Sequence, residues 1–200
     1  MQEAAHPVLA AWSNFYVIIG SSAAALTGLM FVVITLVAGR PRVTTQDGLA
    51  TFSTPTVVHF CAALLVSAIL AAPWRSLVYP AVLLGLTGLY GVVYVSSLML
   101  RTKRLTTYRA ETEDWVWYSI LPLVAYAAVV VVAVLLPTVP AALFVLGGAA
   151  LLLIFVGIHN AWDVVTFLAV DLADGSPGAI SNEKPRANAS AAPSEPETTG

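Results

Sequence analysis

From Trp115 to Trp162 the chain runs for 48 residues without an Asp, Glu, Lys or Arg. No ordinary soluble domain can hide such a run. Charged residues make up roughly 25% of soluble domains, but only 10% of these 200 residues, against 58% hydrophobic and a mean hydropathy of +0.85. About 20 apolar residues make a helix long enough for a hydrocarbon layer roughly 30 Å thick. The lipid bilayer is therefore the expected surrounding, and one domain suits the length.

Charges and prolines divide the chain. Glu3 and Arg40 bound a first run, Asp47 and Arg75 a second, and Arg75 and Arg101 a third. Pro137 and Pro140 split the 48-residue run, because proline neither donates a backbone hydrogen bond nor fits a helix interior. The expected fold is all-α: a polytopic five-helix transmembrane bundle within residues 1–172, with helices at about 12–38, 55–72, 77–100, 115–136 and 141–168. A transmembrane barrel would need apolar and polar residues to alternate, and these runs do not. Residues 1–7, MQEAAHP, lack the basic n-region of a signal peptide, so the first run reads as a permanent span.

Lys and Arg predict the orientation. One side of a five-span chain would carry Arg40, Arg42, Arg101, Lys103, Arg104, Arg109, Lys184 and Arg186; the other carries only Arg75. The positive-inside rule then places the N-terminus outside and the C-terminus in the cytoplasm of a plasma membrane. Trp12 and Trp74 fall at expected outer ends, and Trp115, Trp117 and Trp162 near expected inner ends, as interface anchors should. Residues 173–200, rich in Ala, Ser, Pro and Glu, read as a disordered cytoplasmic tail. No basic block suggests nucleic acid. Cys61, the single cysteine, reads as a small hydrophobe.

Small residues mark expected packing faces. Gly20, Ala24 and Gly28 recur every four residues, and Ala81, Gly85 and Gly88 form a similar row. Such rows let helix backbones approach closely in lipid, within one chain or between copies. Pro122 cannot donate to the carbonyl of Tyr118, so a kink is expected there. Thr54 and Pro55 have the chemistry of an N-cap and first helical residue. Glu111, Glu113 and Asp114 precede the fourth helix, where carboxylates suit the helix dipole.

Chemistry concentrates in one layer. His59 lies about 7 Å beyond Thr54 at roughly 1.5 Å per residue. Tyr118 has comparable depth, and "GIHNAWDVV" (Gly157–Val165) brings His159, Asn160 and Asp163 to the same side. His159 and Asp163, four apart, share a helix face. His59, His159 and Asp163 form a candidate site for a transition metal or for proton transfer, with Tyr118 and Asn160 beside it. The simpler expectation is a helix end becoming hydrated as it leaves the bilayer. There is no GxSxG, CxxC, Walker or dinucleotide-binding motif. Two functional classes follow: a non-catalytic membrane protein acting by helix packing with itself or a membrane partner, and, as the alternative, a metal-, redox- or proton-handling protein using the His/Asp layer.

Overall fold

The computed structural model describes residues 7–38, 46–104 and 115–174. They form five long helices: α1 (Pro7–Ala38), α2 (Gln46–Ala71), α3 (Val78–Arg104), α4 (Leu121–Leu135) and α5 (Ala142–Asp174). A π-helical turn, Val116–Ile120, leads into α4. Each helix contains a stretch long and apolar enough to cross a membrane: Pro7–Leu36, Thr54–Ala71, Val78–Leu100, Val116–Leu135 (with its π turn) and Ala142–Thr166. Apart from Arg75, the basic residues that predict orientation lie outside the residues whose side chains are described, as do the acidic residues before α4 and positions 173–200 of the expected tail.

Three local expectations change. α2 begins nine residues before Pro55, so Thr54 and Pro55 lie inside it rather than capping it. Hydropathy marks where a helix becomes apolar, not where it starts, and Gln46, Asp47, Thr51 and Ser53 make the opening turns polar. α5 continues to Asp174, six residues past residue 168, so positions 173 and 174 are helical. Before Pro122 the backbone widens: Leu121 N–H bonds to the carbonyl of Val116, five residues back. A π turn absorbs the donor that proline lacks, and such turns recur at functional sites.

The helices run up and down. Gly85 lies against Ala133, Gly88 against Val130 and Gly91 against Tyr126, so α3 and α4 are antiparallel. α2, α5, α4 and α3 form a ring, with α2 and α3 its looser side, while α1 packs against α2 and more lightly against α5. Short turns connect the upper ends. Pro73 follows α2, and the Trp74 indole N–H donates to the carbonyl of Ile69. The lower end is where α1, α3 and α5 finish and α2 and α4 begin.

The row on α1 divides. A Cβ at Gly20 would stand 3.0 Å from Ser67 Cβ, so Gly20 does seat α2. Ala24 and Gly28 face outward, and no atom of a neighbouring element lies within 4 Å of a Cβ built on Gly28. The buried face instead carries Leu9, Tyr16, Ala23 and Met30, seven residues apart. A row with a period of four drifts off a face that repeats every seven, because each step of four turns about 40° further around the helix. Gly85 and Gly88 do lie at the α3–α4 contact, and a Cβ on Gly88 would come within 2.8 Å of Val130 Cγ2.

Candidate functional site

Four polar side chains are buried among the described residues: Thr56, His59 and Ser67 on α2 and Asn160 on α5. Ser67 satisfies itself by donating to the carbonyl of Ala63 at 2.8 Å. The other three lie in the lower half of the bundle.

His59, 1% exposed, reaches α4. Its Nδ1 is 3.0 Å from the hydroxyl of Tyr126, with the direction of donation set by the histidine tautomer. Tyr126 can extend this far because α3 offers it Gly91, where any Cβ would overlap the phenol ring. The opposite ring nitrogen, Nε2 of His59, is buried without a protein partner.

Asn160 is 0% exposed, and neither its amide nitrogen nor its oxygen has a protein partner. Its helix packs closely on α2 because Gly157 leaves room for the ring of Phe60. Burying an amide without hydrogen bonds costs roughly 1–3 kcal/mol in protein measurements and more in a purely apolar medium. Asn160, His59 Nε2 and His159 Nδ1 are the buried polar groups without a protein partner in the lower half, among the described residues.

His159 and Asp163 form a second, more open group. The indole of Trp117 lies flat on the His159 ring, with centroids 4.0 Å apart and planes at 6°. Asp163 Oδ2 is 3.4 Å from His159 Nδ1, but the contact lacks hydrogen-bond geometry. Tyr118 donates its hydroxyl to the same carboxylate oxygen at 3.4 Å. His159 and Asp163 are 30% and 43% exposed, although Nδ1 of His159 is itself buried.

The sequence-derived layer thus separates into two groups, His59 with Tyr126 and His159 with Trp117, Tyr118 and Asp163. Among the described residues, no three His, Cys, Asp or Glu side chains come together to hold a metal ion. His59, His159 and Asp163 therefore do not form one ligand set.

Of the tryptophans, Trp12 packs on Phe15 and Phe144 within the bundle, Trp74 stacks near Tyr79, and Trp162 points outward. Trp115 is partly buried at the start of the fourth span.

Sequence reasoning missed Tyr126, Gly91 and Thr56. Tyr118, Pro122 and Tyr126 recur every four residues on one face, a signal that was present in the chain. Gly91 lies three residues past Gly88 and extends the same row.

No known protein family, curated protein or solved structure matches this chain. The functional reading therefore rests on the geometry.

Proposed function

We propose that this chain is a small, non-catalytic, multi-pass protein of the plasma membrane, with its N-terminus outside and C-terminus in the cytoplasm, that acts by packing against a second copy of itself. The observation carrying this reading is the outward face of α1. Gly88, Gly91 and Gly157 each seat a neighbouring side chain, whereas Gly28, like Gly148 on α5, has no such neighbour within 4 Å, and only Gly28 belongs to a row of small outward residues. Ser21, Ala24, Ala25 and Gly28 together leave a shallow outward strip. Between hydrocarbon-embedded helices, association depends on close backbone packing, and such a strip is complementary to its own copy across a two-fold axis. Cysteine cross-linking in native membranes tests it. A cross-link at Ser21→Cys should form between chains and disappear in Gly28→Leu, while the Gly28→Leu protein stays folded. An unchanged cross-link sinks the proposal.

The buried polar groups favour a second reading, proton handling along the lower half of the bundle. Ionisable groups within membrane spans are costly and usually mark a pathway or relay. His59, Tyr126, His159 and Asp163 are the groups such a relay would use, and His59→Gln should abolish proton flux into proteoliposomes if the reading holds.

A further inference from the structure

The two polar groups are separated by Asn160, and the helix geometry fixes where that residue points. Gly157 faces Phe60 of α2, and Asp163 faces Tyr118 at the start of the fourth span. Asn160 is three residues from each, so it projects about 60° from both directions, between α2 and α4. That is the sector in which His59 meets Tyr126. Depth agrees. The Gly157–Phe60 contact sets the register of α5 against α2. At roughly 1.5 Å per residue, Asn160 lies about 4.5 Å and His59 about 1.5 Å toward the lower end from that contact, a difference of about 3 Å. Two buried side chains with unpartnered polar atoms are therefore directed into one sector at nearly one level.

We propose that this sector is an internal water site, held by Nε2 of His59 and the carboxamide of Asn160. An ordered buried water takes two to four polar partners, and Nε2, Oδ1 and Nδ2 supply three. The amide offers both donors and an acceptor, so it accommodates either tautomer of His59. His159 and Asp163, one residue before Asn160 and three after it, are partly exposed, and both lie within a few residues of the lower end of the last span, Thr166, which puts the site close to the water beyond that end. Water there links the open Asp163–His159 group to the buried His59–Tyr126 pair. Its use as a link rests on the proton-handling reading; its existence rests on the buried polar atoms.

Thiol labelling tests the site in the full chain, with Cys61→Ser removing the native thiol. Asn160→Cys should react with a small, charged methanethiosulfonate an order of magnitude faster than Leu153→Cys, two turns further in on the same buried face, or Phe155→Cys on the outward face. Reaction no faster than at Leu153→Cys overturns the proposal. A second measurement keeps residues 59 and 160 native. The chain has three histidines, so water-edited nitrogen NMR of histidine-labelled protein in bilayers separates them, with His6→Gln and His159→Gln giving the assignments. The His59 ring should receive magnetisation from water. Absence of transfer, under conditions that polarise His159, overturns the site. Proton flux is assayed separately. Hydration without flux supports the site and removes the relay, and flux without hydration overturns the site alone.

Discussion

The phenol ring of Tyr126 occupies the space that a side chain at Gly91 would need. This contact holds α3 close to α4 and aims the Tyr126 hydroxyl at His59. Gly91→Ala should therefore destabilise the purified protein by about 1–3 kcal/mol, the usual range for overpacking a tight core. Detergent-based unfolding would measure it. Gly148→Ala is the control and should leave the midpoint unchanged, because its Cβ enters open space.

Gly157 and Phe60 make the corresponding contact between α5 and α2. Gly157→Ala should destabilise, and Phe60→Leu should recover part of the loss by vacating the ring's position. A double-mutant cycle should give a coupling of about 0.5–3 kcal/mol, as for other residues in direct contact. Strict additivity would show that the two residues do not set this helix spacing.

The His59–Tyr126 hydrogen bond should matter modestly for stability. Tyr126→Phe keeps the ring over Gly91 and removes only the hydroxyl. Interhelical hydrogen bonds in membrane bundles average about 0.6 kcal/mol, so a loss of that order is expected. The same substitution should shift the His59 nitrogen resonances, because Nδ1 loses its only hydrogen-bond partner on the facing helix. Unchanged resonances would count against the contact.

Much of the bundle was legible because membrane-crossing length, charge placement and proline breaks are local properties of the chain. Pro137 and Pro140 marked the turn between α4 and α5 without reference to any neighbour. Packing faces were less legible. The Gly20–Ala24–Gly28 row was visible, but which of its members meets α2 depends on how α1 lies against its neighbours, and only Gly20 does. The polar layer shows the same division. His59 and Asn160 are both buried as groups on the inner side of their helices, while the partner of His59 depended on a glycine in α3. His159 and Asp163 share a face as their spacing requires, yet that face turns toward Trp117 and Tyr118.

The Asp163 group should contribute little to stability. Its side chains are partly exposed and the contacts of Asp163 with His159 and Tyr118 are long, 3.4 Å each, so about 0–1 kcal/mol is expected, as for other exposed polar pairs. Asp163→Asn should leave the unfolding midpoint within that range, whereas Asn160→Asp places a carboxylate in a fully buried position. The second substitution should be the more destabilising near neutral pH. Equal effects in a thermal melt would mean that Asn160 is not enclosed as described.

The proposed orientation makes a directional prediction. Six of the basic residues fall between the spans toward the lower end, Arg40 and Arg42 between α1 and α2, Arg101, Lys103 and Arg104 in the last turn of α3 and Arg109 beyond it, while only Arg75 falls between the spans at the upper end. This asymmetry should keep the lower end in the cytoplasm. A C-terminal fluorescent fusion that folds only in the cytoplasm should light up, and a cysteine at Ser76 should be labelled by an impermeant thiol reagent added to intact cells. Replacing Arg40, Arg42, Arg101, Lys103, Arg104 and Arg109 with Gln should yield a mixed population, because the remaining bias in the short connections then rests on Arg75 and favours the opposite insertion. Labelling of Ser76→Cys only after the cells are broken would reverse the orientation, and would place the approach to His159 and Asp163 on the outer side of the membrane.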